Sequence, residues 1–195
     1  MGKRSAFPRE PRDFYPTPAA AVPPLLRHLR RRAAFIEPCC GDGALVRHLE
    51  PAGLRCSWAS DIAPQGAFAS TTPPQGVGAA RCALTLTDAE LPADVIVTNP
   101  PWRWAVLEPL LDHLSSLRPT WALLDADLAH TVQARALMRR CRRIASVGRL
   151  KWVEGSAHQG KHNAAWFLFG AAPARVTAFS PRLPSAARRP AGGRS

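Results

Sequence analysis

The stretch Asp94–Trp102 constrains the fold of this chain more than any other. It opens with Val95, Ile96 and Val97, a β-branched run that favours a buried strand. It closes at Pro100 and Pro101, through which a central strand cannot continue. Asn99 is therefore expected at the carboxyl end of a strand, where open α/β sheets bind their ligands.

The residues that end this strand suit the binding of a planar amine. The side-chain oxygen of Asn99 and the carbonyl oxygen of Pro100 can each accept one amine hydrogen. Pro101, like Pro100, carries no N–H, so the backbone here presents acceptors only. Trp102 can stack on the ring that bears the amine. These four residues are the candidate catalytic group; the alternative is an Asn-Pro turn with a tryptophan packed beside it.

A second pattern, nearer the amino terminus, is typical of a cofactor site. Residues 33–37 are predicted to form a strand, 38–43 a tight Gly-x-Gly loop, and Ala44 to begin a helix. This order places a cofactor at a helix N-terminus in doubly wound folds. Residues 54–60 are a second predicted strand ending at Asp61, whose carboxylate suits a ribose diol. The alternatives are a plain turn for the loop and a turn cap for Asp61.

Other elements follow from local composition. Thr17 is expected to cap a helix that Pro18 starts, with the prolines at 23 and 24 interrupting it so that the regular helix begins only there. Residues 63–80 are expected to be a long loop, and Asp88 either meets an adenine amine or lies in an exposed turn. The remaining predictions are strands at Arg81–Leu86 and Trp121–Leu124, helices at Val106–Leu117 and 128–143, and a hairpin with arms Ile144–Val153 and Ala164–Phe169.

The loop between the hairpin arms, residues 154–163, is polar and contains glycine, histidine and lysine. Such a loop is either a clamp over substrate or an ordinary surface loop. His158 and His162 have no evident metal partners in the sequence, and no histidine or cysteine pair has zinc-ligand spacing. No metal site is therefore predicted.

Charge and cysteine content narrow the function classes. The formal net charge is +12 and the pI about 11.1, which indicates a polyanionic partner such as nucleic acid, or else a solvated basic surface. The five scattered cysteines favour reduced thiols and a cytoplasmic location. No apolar run is long enough to span a bilayer, so a membrane protein is not expected.

The predicted organisation has three parts. Residues 1–13 are a flexible basic arm, 14–170 a catalytic domain, and 171–195 a disordered basic tail. The tail is rich in proline, alanine, arginine and glycine, a composition that cannot bury a core.

Taken together, the ordered motifs resemble the class I S-adenosylmethionine-dependent methyltransferases. The resemblance covers about residues 14–169 and is to the amino-methylating DNA adenine enzymes, including short phage-type versions. The motifs that carry it are the aromatic-x-Thr-Pro of Phe14–Pro18, the glycine loop of Glu37–Gly43, the acid Asp61, the catalytic Asn99–Trp102, and the late strand motif Ala165-Trp166-Phe167.

The resemblance implies a fold, a cofactor and site residues. The fold would be α/β, a doubly wound, mostly parallel seven-stranded sheet with a C-terminal β-hairpin. The cofactor would be S-adenosylmethionine. The cofactor-binding residues would be Tyr15, Thr17, Pro18, Glu37, Pro38, Cys39, Gly41, Gly43, Asp61 and Asp88, and the substrate-binding residues Trp152, Lys161 and Trp166.

The expected activity is methyl transfer to the exocyclic amine of adenine in DNA. The same catalytic motif occurs in ribosomal-RNA and protein-glutamine methyltransferases, and an inactive nucleic-acid-binding module on this fold is a further alternative. The chain departs from the family in having Leu45 where phenylalanine is common, and in lacking a separate target-recognition domain after Phe169. The sequence gives no oligomeric state.

Overall fold

A single β-sheet organises the chain in the computed structural model, which describes residues 14–66, 77–153 and 159–184. Within those residues eight strands lie in the order β3-β2-β1-β4-β5-β7-β6-β8. β7 runs antiparallel to β5 and β6, and the other pairings are parallel. The strands are β1 Ala34–Glu37, β2 Arg55–Asp61, β3 Val77–Ala80, β4 Val95–Thr98, β5 Thr120–Asp125, β6 Cys141–Arg149, β7 Asn163–Phe169 and β8 Ala178–Ser180.

Helices cover both faces of this sheet. The helices are α1 Val22–Leu26, α2 Ala44–Leu49, α3 Trp104–Leu117 and α4 Arg135–Met138. α1 and α2 pack on one face of the sheet, and α3 and α4 pack on the other. Alternate residues of β5 illustrate the arrangement, because Trp121 and Leu123 join the first core while Ala122 and Leu124 join the second. The predicted doubly wound sheet of seven strands with a C-terminal hairpin, β6–β7, is confirmed, and β8 extends it by one strand.

The third strand was predicted in the wrong place. β3 is Val77–Ala80, inside the expected loop, whereas the expected strand at 81–86 contains a 3-10 turn at Ala83–Thr85. Glycine and alanine have low strand propensity, so local composition offered little indication of β3. Its backbone pairing with β2 decides its structure instead, beginning at Ala59 opposite Val77.

The predicted basic helix at 128–143 is also largely absent. A 3-10 turn occupies Ala126–His130, α4 is only Arg135–Met138, and β6 begins at Cys141. Two-sided pairing of β6, with β7 and with β8, overrides the helical periodicity of its first residues.

The prediction of a disordered tail from residue 171 is wrong for residues 171–184. β8 pairs with β6 there, and the Thr177 hydroxyl donates to the Cys141 carbonyl at 2.7 Å. Backbone pairing to an existing sheet edge orders this segment without a core of its own. The rest of the predicted tail, residues 185–195, lies outside the described residues, as do the predicted arm at 1–13 and the loop residues 154–158.

The regular helix begins only at the two prolines, as expected: they lie in the first turn of α1, where their missing N–H groups break no helical bond. Among the described residues, no helix is both long enough and apolar enough to cross a membrane.

Trp166 is a core residue. Its side chain on β7 is fully buried between the sheet and α1, and its indole Nε1 donates to the Ala21 carbonyl at 2.7 Å. The prediction that Trp166 binds substrate is therefore wrong, because this ring presents no surface to a ligand. In this protein the late strand motif, Ala165-Trp166-Phe167, contributes to the hydrophobic core.

We expect Trp166→Phe to destabilise the fold by about 1–3 kcal/mol, because it removes the buried hydrogen bond from the indole to the Ala21 carbonyl and leaves a cavity beside it. The matched control is Trp58→Phe on β2, since among the described residues the buried Nε1 of Trp58 has no partner to lose. Urea denaturation of both variants measures the difference. Equal losses of unfolding free energy would show that the Trp166 hydrogen bond contributes nothing.

Candidate active site

Asn99 follows β4 directly, and its side chain is bound to the amino-terminal segment. Its Nδ2 donates to the Tyr15 carbonyl at 3.2 Å and to the Thr17 hydroxyl oxygen at 3.1 Å. A carbonyl oxygen can only accept, so the amide nitrogen must face Tyr15. The orientation of the Asn99 amide is thereby fixed, with its oxygen directed elsewhere.

Two acceptor oxygens remain open beside this amide. Among the described residues, no donor reaches Oδ1 of Asn99 or the carbonyl oxygen of Pro100. Thr17 is buried, and its hydroxyl accepts from Asn99 rather than capping a helix; Pro18 precedes a 3-10 turn at Ala19–Ala21. The predicted motifs at 14–18 and 99–102 thus meet in space.

Three aromatic rings surround the same strand end. The rings of Trp102 and Trp152 lie edge to face with centroids 5.5 Å apart, and Tyr15 lies edge to face with Trp152 at 6.3 Å. The indole of Trp102 donates to the Leu123 carbonyl at 3.0 Å, which fixes the ring against β5. We call Tyr15, Trp102 and Trp152 the aromatic cage. Each ring is only partly buried.

The glycine loop and Asp61 are joined by hydrogen bonds. Gly41 N–H donates to Oδ2 of Asp61 at 2.9 Å, and Ala63 N–H donates to Oδ1 at 2.8 Å. Gly41 and Gly43 have φ of 53° and 80°, a left-handed conformation that favours glycine. The loop predicted at 38–43 and the acid predicted to end β2 therefore form one structural unit.

Phe14 is a residue of this unit that sequence reasoning gave no separate role. Its ring lies over Gly41, so close that a Cβ added there would be 2.6 Å from Cε2 of Phe14. Gly41 is thus required by both its backbone conformation and this contact. The aromatic character of Phe14 was the signal available in the sequence, but its partner Gly41 lies 27 positions away.

Glu37, at the end of β1, is a buried carboxyl group. The Thr98 hydroxyl donates to its Oε1 at 2.6 Å, and Cys39 N–H donates to the same oxygen at 3.1 Å. Burial raises the pKa of Glu37 to about 8, although the hydrogen bond from Thr98 opposes the shift. Its other oxygen, Oε2, is buried without a partner among the described residues. An unpartnered buried oxygen in a glycine-lined loop suits a ligand with a cationic or N–H group.

The thiols of the loop are poor nucleophiles. Burial raises the pKa of both Cys39 and Cys40, with Glu37 adding to the shift. Both thiols therefore stay protonated at neutral pH, and the thiolate that covalent chemistry needs is disfavoured.

Asp88 lies at the opposite edge of the sheet from these groups. It is exposed and forms an ion pair with Arg118, which also donates to the Ala93 carbonyl at 3.2 Å. Arg118 and Ala93 shortly precede β5 and β4, so this cluster marks the amino ends of the strands. The prediction that Asp88 binds the cofactor is therefore wrong, because the ion pair with Arg118 holds it away from the glycine loop.

The remaining predicted residues lie near the hairpin. Lys161 is exposed, just before β7. His162, for which the sequence offered no metal partner, has Nδ1 3.2 Å from Oδ2 of Asp125. One ligand atom from each of His162, Asp125 and Asp127 lies within 4.8 Å of the others. The pairing was not visible in the sequence because β5 and β7 are neighbours only in the folded sheet.

Comparison with known proteins identifies the fold. No protein-family model matches the sequence, and a search of curated proteins gives no match. A Pyrococcus horikoshii structure assigned as an RNA methyltransferase superposes with a TM-score of 0.53 at 11% identity, over 82% of this chain and 87% of that one. A Lactococcus lactis protein assigned as a hemolysin superposes with a TM-score of 0.54 at 12% identity, over 82% of this chain and 91% of that one.

A dimethyladenosine transferase of Plasmodium falciparum gives a TM-score of 0.51 at 15% identity. The match covers 80% of this chain and 62% of that chain. At such identities the likeness concerns the fold alone, and the differing names of these neighbours agree with that limit. The chain has the Rossmann-like methyltransferase fold.

The raised pKa of Glu37 should make stability depend on pH. An acid whose pKa is higher in the folded protein stabilises it fully below the unfolded pKa and loses that contribution as pH rises through the folded pKa. For Glu37 that window runs from about 4.5 to about 8. The unfolding free energy of the wild type should therefore fall across this window relative to Glu37→Gln, which keeps an acceptor for Thr98. Parallel curves from urea denaturation over this pH series would contradict the assignment.

Proposed function

We propose that this protein is an S-adenosylmethionine-dependent methyltransferase acting on the exocyclic amine of adenine in DNA. The observation that carries the proposal is the fixed amide of Asn99, with its oxygen open beside the aromatic cage at the carboxyl end of β4. Open α/β sheets bind their ligands at this edge.

The glycine loop and its neighbours fit the cofactor. The left-handed glycines at 41 and 43 let the backbone approach a ligand closely. The unpartnered Oε2 of Glu37 can accept from the cofactor's α-ammonium group, and Asp61 keeps lone pairs for a ribose diol after accepting from Gly41 and Ala63. The cofactor supplies the methyl group as an electrophilic sulfonium substituent.

The residues at the end of β4 would prepare the amine. An aromatic amine is a weak nucleophile because its lone pair is delocalised into the ring. Oδ1 of Asn99 and the Pro100 carbonyl would each accept one amine hydrogen, which favours a tetrahedral nitrogen with an aimed lone pair. Transfer would form one N–C bond as the S–C bond of the sulfonium breaks, and the amine would release one proton to solvent. Positioning supplies the catalysis, in agreement with thiols that stay protonated.

A base is a better candidate than a protein side chain for the amine. The net charge of +12 favours a polyanion, and rings such as those of the aromatic cage stack on unstacked bases. The resemblance of the five ordered motifs to the amino-methylating DNA adenine enzymes favours adenine in DNA. Two of the structural neighbours bear the names RNA methyltransferase and dimethyladenosine transferase, so RNA is the alternative to test.

The decisive assay offers cofactor with a labelled methyl group together with double-stranded DNA, RNA or a release-factor protein. We expect label in DNA, recovered as N6-methyladenine after digestion to nucleosides. Asn99→Ala should lower the rate at saturating cofactor by about 100-fold or more, because it removes the open amide oxygen that would accept from the amine.

The matched variant is Asp61→Asn, which should weaken cofactor binding in calorimetry by about 1–3 kcal/mol through loss of a charge-assisted hydrogen bond. Near-wild-type turnover by Asn99→Ala would refute the catalytic assignment. If label appears only in RNA or only in protein, that molecule replaces DNA as the proposed substrate. If no substrate is labelled, the alternative of an inactive nucleic-acid-binding module is favoured.

A further inference from the structure

The carboxyl-terminal third of the described chain is strongly basic. Asp127 is the one carboxylate among residues 126–153 and 159–184. Among the described residues, Arg140 is the arginine of this region that pairs with a carboxylate, Asp112. The region's cations are Arg135, Arg139, Arg140, Arg142, Arg143, Arg149, Lys151, Lys161, Arg175 and Arg182.

One of these arginines lies at the same end of the strands as the candidate active site, although β5, β7 and β6 separate β8 from β4. β8 runs parallel to β6, with Ala178 opposite Arg143 and Ser180 opposite Ala145, so the chain after Ser180 continues toward the carboxyl end of β6. β6 is antiparallel to β7, which is antiparallel to β5, so β6 points the same way as β4. The segment that follows β8 therefore ends at the edge of the sheet where Asn99 lies.

The contact that holds this arginine is built by a glycine. Gly148 follows an irregularity in the β6–β7 register and has φ of 92°. The guanidinium of Arg182 packs on it so closely that a Cβ added to Gly148 would lie 2.8 Å from Cζ and Nε. Arg182 is nevertheless exposed, as are the neighbouring Arg149 and Lys151. The packing directs a charged group toward solvent beside the strand end.

Lys151 directly precedes Trp152 of the aromatic cage in the chain, and Gly148, which carries Arg182, lies four residues before that ring. A base that enters the cage remains attached to phosphates on both sides. The planar guanidinium forms paired hydrogen bonds with phosphate oxygens, and such contacts fix the position of the nucleic acid without reading its sequence.

We propose that Arg182, anchored on Gly148 and flanked by Arg149 and Lys151, binds the DNA backbone next to the base in the aromatic cage. This inference rests on the proposed function. It assigns part of the DNA contact to an ordered carboxyl-terminal segment.

The test compares Arg182→Ala with Arg175→Ala, which removes the same charge from the other end of the same segment. Ala174 N–H donates to the Arg139 carbonyl, so Arg175 lies near the amino end of β6. Seven residues of strand, roughly 23 Å, separate Cys141 from Gly148. Affinity for a double-stranded DNA oligonucleotide is measured across a salt series, with cofactor affinity and thermal stability as controls.

We expect Arg182→Ala to weaken DNA binding by about 3- to 10-fold at low salt and to reduce the slope of log affinity against log salt by about one unit. The DNA affinity of Arg182→Lys should lie between those of Arg182→Ala and the wild type, because lysine keeps the charge but lacks the paired donors of the guanidinium. Arg175→Ala should change affinity by less than about twofold, and cofactor affinity should be unchanged in all three.

Equal effects of Arg182→Ala and Arg175→Ala would overturn the inference, as would a wild type that does not bind DNA. A larger loss of RNA affinity than of DNA affinity for Arg182→Ala would also overturn it. If the Arg182 effect appears but no methyl transfer to DNA is found, the surface stands and the proposed function fails. If DNA is methylated but Arg182→Ala and Arg175→Ala weaken DNA binding equally, the proposed function stands and the proposed phosphate contact fails.

Discussion

The hydrogen bonds from the Asn99 amide to Tyr15 and Thr17 are the contacts on which the candidate site depends. They join the end of β4 to a segment more than 80 residues earlier in the chain, and they settle which way the amide faces. The same segment carries Phe14 onto Gly41 and the Tyr15 ring toward Trp152. One stretch of irregular backbone thus sets the glycine loop, the amide and the aromatic cage relative to one another.

Burial gives the second constraint. Glu37 is buried at the end of β1 with one oxygen unpartnered, and its pKa is raised to about 8. Such a group costs stability when ionised, and a native protein retains it where a ligand can compensate. Burial also keeps the Cys39 and Cys40 thiols protonated. The electrostatics therefore favour binding and orientation over covalent chemistry.

Much of the fold could be predicted because strand ends carry a local signature. The β-branched run before Asn99 and the glycine loop each identify a strand by themselves, and parallel topology then places those ends at one edge. Tertiary contacts decided the rest. β3 and β8 are short edge strands ordered by backbone pairing. Asp88 is paired with Arg118 at the amino ends of the strands, and Trp166 is buried against the turn that contains Ala21. Such partners lie too far apart in sequence for local patterns to reveal.

The most direct test of this account is the turnover rate of Thr17→Val at saturating cofactor. Valine keeps the volume of threonine but cannot accept from Nδ2 of Asn99, so the amide loses one of the two bonds that orient it. The account predicts a rate at least about tenfold below wild type, with folding intact, and recovery in Thr17→Ser. A Thr17→Val enzyme that turns over at the wild-type rate would contradict the claim that this contact aims the catalytic amide.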